Sequence, residues 1–166
     1  LAAGAANDIT LDEAASDYGT VVITSGNNVA ITDTDDIDLG ASTVSGTLGI
    51  TANGAITDSG TITVANATTL AAGAGNNITL DQAASDYNTV VITSGNNVAI
   101  TDTDDIDLGA STVSGTLGIT ANGAITDSGT ITVTGTTTLA AGAANDITLD
   151  EAASDYGTVV ITSGNN

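Results

Sequence analysis

The sequence lacks every basic side chain: it has 166 residues, no Lys, Arg or His, and 20 Asp plus Glu, which gives a formal net charge of −20. Without His or Cys, zinc sites of the usual kind and disulfides are excluded. Without Lys, a P-loop and Schiff-base chemistry are excluded. No side chain can neutralise nucleic-acid phosphates, so nucleic acid is excluded as a partner.

Proline is also absent, and the aromatic residues are three Tyr without Phe or Trp. Every residue can therefore donate a backbone hydrogen bond, and the core has to be built from Ile, Val, Leu and Ala. No apolar run approaches the ~18 residues of a membrane-spanning helix, so no membrane span is predicted. No signal peptide precedes Leu1, which lies inside a repeat, so we expect targeting information elsewhere in a longer chain.

What is present favours a folded all-β protein. Hydrophobic residues make up 41% of the chain and mean hydropathy is +0.26, which argues against the disorder that high net charge alone would suggest. The apolar residues are mostly Ile, Val, Leu and Ala, and Thr, Val and Ile fit a pleated surface. The composition therefore predicts an all-β fold.

The chain is a tandem repeat. The stretch LAAGAANDITLDEAASDYGTVVITSGNN opens at Leu1, returns with four changes at Leu70 and returns unchanged at Leu139, so the period is 70 − 1 = 69 positions. Residues 1–69 (copy one) and 70–138 (copy two) differ at seven positions, and residues 139–166 are a partial third copy. We expect one continuous solenoid.

Inside each copy, apolar residues come in i, i+2 pairs about eight residues apart, which is typical of strands with one buried face. Turn-forming stretches such as SGNN, TDTDD and TANG separate them. The pairs in copy one are Ile9/Leu11, Val21/Ile23, Val29/Ile31, Ile37/Leu39, Leu48/Ile50 and Ile62/Val64. Short strands, short turns and a fixed long period predict a parallel β-solenoid. If identical copies occupy identical environments, each contains a whole number of coils: about three, averaging 69/3 = 23 residues, or alternatively four of about 17.

The stretches NDITL, NVAITD, LGASTVSG and GAITDSGTITV resemble the repeats of very large bacterial surface proteins of the filamentous-haemagglutinin-like adhesin class. The resemblance covers essentially the whole chain. It implies a right-handed parallel β-helix shaft, secretion, and an extracellular location at the bacterial cell surface. It implies no particular binding residue.

The most acidic stretch, ITDTDDIDLG, occurs at residues 31–40 and again at 100–109. We expect all four carboxylates in each copy to lie on the solvated surface, because Asp38 alternates with inward residues and because Asp33, Asp35 and Asp36 are expected in the turn between two strands. Three interpretations remain open: a solvated corner whose side chains cap backbone N–H groups, a calcium site built from clustered carboxylates, and paired catalytic carboxylates. The candidate calcium ligands are Asp33, Asp35, Asp36, Asp38, Asp102, Asp104, Asp105 and Asp107.

No catalytic or cofactor-binding residue is predicted, because the hydroxyls have no base to activate them. We expect no enzymatic activity and no required cofactor, with calcium as the one candidate ion. Tyr18, Tyr87 and Tyr156 are expected to cover the core, with sugar binding as the alternative. The Asn27/Asn28 pair and its equivalent at 96–97 predict a side-chain ladder along a corner, or a loop without one.

Three functions follow in order of preference. The first is a structural repeat of an extracellular fibre or shaft, with the chain itself as partner, through continuation of the same solenoid or end-to-end stacking. The second is a calcium- or cation-binding module for cell-surface adhesion. The third is a carbohydrate-active β-helix enzyme. Because solenoids need terminal caps and neither end resembles one, we also expect further units of the same repeat before and after this stretch.

Overall fold

The computed structural model describes residues 1–165, which form short β-strands without an α-helix. The strands are β1 (Ile9–Leu11), β2 (Thr20–Val21), β3 (Val29–Asp33), β4 (Ile37–Leu39), β5 (Ser42–Val44), β6 (Leu48–Ala52), β7 (Ile56–Asp58), β8 (Ile62–Ala71), β9 (Ile78–Leu80), β10 (Asp86–Ser94), β11 (Val98–Asp102), β12 (Ile106–Leu108), β13 (Ser111–Val113), β14 (Leu117–Ala121), β15 (Ile125–Asp127), β16 (Ile131–Val133), β17 (Thr136–Ala140), β18 (Ile147–Thr148) and β19 (Thr158–Ser163). The all-β prediction is confirmed.

The strands stack into two large parallel sheets. Sheet 1 has the order β1-β3-β6-β8-β10-β12-β15-β18, with β5 also beside β8. Sheet 2 has the order β19-β17-β14-β11-β9-β7-β4-β2, and β13 pairs with β16 separately. The chain passes back and forth between the two sheets and forms a β-solenoid of about eight turns. The predicted parallel solenoid is therefore confirmed.

Each copy contains three complete coils and a further half-coil. Strand β1 lies in sheet 1, but its counterpart in copy two, β9, lies in sheet 2, and the counterpart in the third copy, β18, is again in sheet 1. Paired residues are 39 − 21 = 18 positions apart at Val21 and Leu39, and 90 − 68 = 22 apart at Thr68 and Val90. About three coils per copy is thus right, but the expected whole number is wrong. The two sheets offer equivalent inward-facing sites, so a half-turn restores the environment of every core residue.

The core is a set of aliphatic columns that run along the solenoid. Ile31 pairs with Ile50, Ile50 with Leu70, and Leu70 with Ile92, and all four side chains are buried. Burial of each such side chain is worth ~1.5–3 kcal/mol. Every coil therefore supports the coils on either side of it, which explains why slim side chains suffice.

The tyrosines belong to the core, as expected. Tyr87 is fully buried, and Tyr18 and Tyr156 are half-buried and pack against the same apolar cluster. Within residues 1–165, no helix is long and apolar enough to cross a membrane.

Candidate cation site

The acidic stretch forms a three-residue turn between the two sheets. In copy one, residues 34–36 carry the chain from β3 in sheet 1 to β4 in sheet 2. In copy two, residues 103–105 carry it from β11 in sheet 2 to β12 in sheet 1. Because of the half-turn between copies, the two acidic turns lie on opposite edges of the solenoid.

The expectation that all four carboxylates of the stretch are exposed is wrong for Asp33 and its equivalent Asp102. Asp33 is only 1% exposed and Asp102 is 0% exposed. Each occupies the last inward position of a five-residue strand, after Val29 and Ile31 in copy one. The buried carboxylate is stabilised by backbone donors, because the Tyr18 N–H donates to Asp33 Oδ2 (2.6 Å) and the Asp35 N–H to Oδ1 (2.9 Å).

Asp102 repeats this arrangement one copy later. The Tyr87 N–H donates to its Oδ2 (2.7 Å) and the Asp104 N–H to its Oδ1 (2.8 Å). Burial raises the pKa of Asp102 to about 6, and the backbone donors oppose only part of that increase. The carboxylate therefore ties the turn to the preceding coil at the cost of burying a charge.

The neighbouring carboxylates hold the following coil. Asp36 and Asp105 are exposed, and each accepts a 2.6 Å hydrogen bond from a backbone N–H one coil on, that of Ala55 or of Ala124. Asp38 is half-buried on the outer face of sheet 2 and accepts a 2.6 Å hydrogen bond from the Ser59 hydroxyl. Asp107 does the same with Ser128. These contacts favour the interpretation that the Asp side chains cap backbone and hydroxyl donors.

One group in the described chain also has the geometry of a cation site. Carboxylate oxygens of Asp86, Asp102 and Asp104 all lie within 4.8 Å of one another. Asp102 is buried, Asp86 is half-buried and Asp104 is exposed, so the group opens to solvent. An open depression of about 310 Å³ beside it is lined by Asp86, Asn88, Asp104, Asp105, Ile106, Asp107 and Thr126.

The group differs from the predicted ligand set. Asp102 and Asp104 were predicted, but Asp105 and Asp107 lie outside the three-residue group, and Asp86 of the SDY stretch was missed. Asp86 precedes Asp104 by 104 − 86 = 18 positions, which is one coil, so a sequence signal existed once the coil length was known. In copy one, the equivalent Asp17, Asp33 and Asp35 form no such group among residues 1–165.

Carboxylates repel one another at both acidic turns. Burial and the charge of Asp104 raise the pKa of Asp86. The charge of Asp17, then burial and the charge of Asp33, raise the pKa of Asp35. No basic residue offsets this repulsion. Three clustered carboxylates supply the oxygen ligands that calcium prefers, and an ion there would remove the repulsion.

A second polar feature is a corner ladder, which the sequence predicted as one of two alternatives. Asp8 Oδ1 accepts hydrogen bonds from the Asn28 backbone N–H (3.0 Å) and from the amides of Asn27 (3.0 Å) and Asn28 (3.1 Å). Asn28 Oδ1 in turn accepts from the backbone N–H and hydroxyl of Thr47. Copy two repeats the ladder through Asn77, Asn97 and Thr116. The ladder's hydrogen bonds therefore pair the polar side chains of this corner with groups on neighbouring coils.

A family model described as repeats of unknown function (DUF5649) matches residues 26–94 and 95–163, two adjacent segments of equal length. Together these segments cover most of the chain, which therefore belongs to this family of repeats. No match was found among curated proteins or among solved structures.

Proposed function

We propose that this member of the DUF5649 repeats is a structural unit of an extracellular shaft, part of a very large surface protein of the bacterial adhesin class. The observation that carries the proposal is the continuity of both sheets. Sheet 1 and sheet 2 each run without interruption through copies one and two into the third. Adding copies therefore lengthens one rod and creates no new domain.

The dimensions suit a spacer. Parallel strands lie ~4.8 Å apart, so three and a half coils advance the rod by about 17 Å per copy. Nine acids in copy one then give roughly one charge per 1.9 Å of axis, close to the ~1.7 Å of double-stranded DNA. Such a rod stays strongly hydrated, which suits an exposed extracellular location.

The pattern of variation also supports a structural role. The seven differences between copies one and two fall at residues 6–19 and 65–67, and the rest of the repeat is identical. In the tandem array these two ranges adjoin, in the stretch where one copy passes into the next. A recognition site would need to be present in only one copy. Near-identity throughout the repeat instead preserves the residues that form the coil in every copy. The resemblance to filamentous-haemagglutinin-like repeats supports the assignment to a surface adhesin.

The proposal is tested by length and by location. Chains with two, four and eight copies, imaged by electron microscopy, should form unbranched rods that grow by about 17 Å per copy. An antibody against the repeat should label intact source cells from outside. Globular particles whose diameter grows with the cube root of mass would contradict the shaft, and labelling only after lysis would contradict the location.

Cation binding is a second candidate function, favoured by the Asp86, Asp102 and Asp104 group. Calcium should raise the unfolding temperature more than magnesium does at matched ionic strength, and Asp104→Asn should remove the difference. Asp12→Asn, an exposed carboxylate outside the group, is the matched control. Equal responses to calcium and magnesium would leave only counterion screening.

A further inference from the structure

Each copy has one broad face whose outward strand positions carry no carboxylate. On sheet 1, beginning in copy one, the outward positions of β1, β3, β6, the second half of β8 and β10 carry small or hydroxyl side chains. Asp33 at the end of β3 points inward, and Asp86 lies at the edge, paired with Thr63. We call this surface the neutral face: Thr10, Ala30, Thr32, Gly49, Thr51, Thr69, Ala71, Thr89, Val91 and Thr93.

The opposite side of the same coils is charged. There, Asp38 lies between Thr20 and Thr57 on the outer face of sheet 2. In copy two the half-turn exchanges the sides, so Asp107 lies on sheet 1 and the neutral face lies on sheet 2. The neutral face of copy two comprises Thr79, Ala99, Thr101, Gly118, Thr120, Thr138 and Ala140.

A groove lies in the middle of the neutral face and runs parallel to the rod axis. Ala30 and Gly49 form its floor between Thr10 and Thr69, with which they are paired in register. The depression measures about 200 Å³, and Asp8, at the corner before β1, also lines it. Beside it, Thr32 and Thr51 form a parallel ridge two residues along each strand.

The glycine in the groove is not required by the coil itself. A Cβ at Gly49 would lie 3.7 Å from Val29 O, an ordinary contact, and its backbone has no positive φ. Gly118 in copy two is the same. Glycine inside a strand is unfavourable relative to Ala, and it often marks close approach by another backbone or a ligand. The reason for these glycines therefore lies outside the coil.

We propose that the neutral face docks laterally on the neutral face of a second copy of this solenoid. The two rods are related by a two-fold axis that is parallel to the rod and lies midway between groove and ridge. This axis places the Thr51 ridge of each rod over the Gly49 groove of the other. Small side chains allow sheets to pack closely, about 10 Å apart. Because neutral faces alternate sides along the rod, each rod can join two neighbours in a ribbon.

Charge selects a second copy as the occupant. A cationic partner would be attracted to the carboxylate-bearing faces, whereas a chain of net charge −20 can approach its like most closely on the face whose strands carry no carboxylate and whose groove meets one only at the Asp8 corner. Four strand spacings by five residues give a neutral face of ~300 Å² per copy, against the ~800 Å² per partner of a stable interface. Single faces therefore associate weakly, and long rods associate through many faces in register.

The test is self-association of the full chain as salt is raised. Sedimentation velocity should show growing dimers and larger species as sodium chloride screens the repulsion, and small-angle scattering should show a thicker cross-section. Thr51→Glu with Thr120→Glu, on the two ridges, should reduce association at least tenfold. Thr57→Glu with Thr126→Glu, which places the same charges on the carboxylate-bearing faces, should leave it within twofold.

Folding of each variant is checked by circular dichroism, and Gly49→Ala with Gly118→Ala fills the groove without adding charge. That variant should fold at least as well as the parent and associate less. The proposal is overturned by a chain that stays monomeric at every salt concentration, by growth in length without a thicker cross-section, or by equal effects of the two Glu pairs. Association that requires added polylysine and weakens with salt would identify a cationic partner and overturn it equally.

Discussion

Lowering the pH from neutral should stabilise this protein, the opposite of the usual acid response. The buried carboxyl of Asp102 has a pKa of about 6 in the folded chain, against an ordinary value of 3.8. A folded state with the higher pKa binds the proton more tightly. Its stabilising contribution is therefore fully present below about pH 3.8 and is lost as pH rises through about 6.

The magnitude follows from the shift. A difference of 6 − 3.8 units at ~1.36 kcal/mol per unit gives about 3 kcal/mol. At pH 4 the unfolded carboxyl is still partly ionised, and solvent near the exposed Asp104 screens part of the effect, so we expect about 1 to 2 kcal/mol between pH 7 and pH 4. The pKa of Asp58, raised by burial, and that of Asp86 add in the same direction.

The assay is urea unfolding across this pH range at constant ionic strength, with two variants. Asp102→Asn removes the titrating group and should flatten the pH profile by about 1 to 2 kcal/mol, whatever its effect on stability at a single pH. Asp12→Asn removes an exposed charge and should run parallel to the parent. A parent whose stability falls steadily from pH 7 to pH 5, or an Asp102→Asn profile as steep as the parent's, would refute the reasoning.

Two further predictions rest on matched pairs. Gly54→Ala should destabilise the fold by about 2–3 kcal/mol, because the added Cβ would lie 2.5 Å from the backbone N of Asp36. Gly49→Ala should instead stabilise it by ~0.5–1 kcal/mol. Thermal unfolding of both variants tests this, and equal effects would contradict it. Tyr156→Phe should destabilise the fold by about 1–2 kcal/mol, because it removes a 2.5 Å hydrogen bond to Asp127. Tyr87→Phe removes a buried hydroxyl without a partner and should be neutral or stabilising. The urea midpoints of the two variants test this difference.

The sequence predicts the strands better than it predicts their arrangement in space. The i, i+2 alternation identifies inward residues such as Ile31 and Ile37 because one face of each strand is buried. It does not say which sheet a strand joins, since both sheets accept the same pattern. The half-coil in each copy can therefore be recognised only from the strand pairings of the structure.

The candidate site shows the same limit. Asp33 follows Val29 and Ile31 at the next inward position, so the alternation itself predicted burial, but a carboxylate in an acidic turn was interpreted as solvated. Its burial depends on donors from Tyr18 and Asp35, which only the register brings near. Asp86 joins the site for the same reason, from one coil away.

The differences between copies concentrate where one copy passes into the next, and we call each such place a joint. The first joint contains a bulge. Between β8 and β10 the register shifts around Asn88, whose amide donates to Ala65 O (3.2 Å). The equivalent place in the next joint has Gly157 with φ +59°, packed directly against Gly135. The first joint therefore carries Asn66 with Asn88, and the second carries Gly135 with Gly157. In each joint the two residues are suited to each other.

Exchanging only half of a matched joint should therefore be costly. Ala65→Thr, Asn66→Gly and Ala67→Thr together should destabilise by about 1–2 kcal/mol, and so should Asn88→Gly alone, since it removes the bond to residue 65. All four changes recreate the second joint and should return stability to within ~0.5 kcal/mol of the parent. The coupling energy from this cycle, measured by urea unfolding, should exceed ~1 kcal/mol. Additive effects would mean that the two strands vary independently, and the matched-joint explanation would fail.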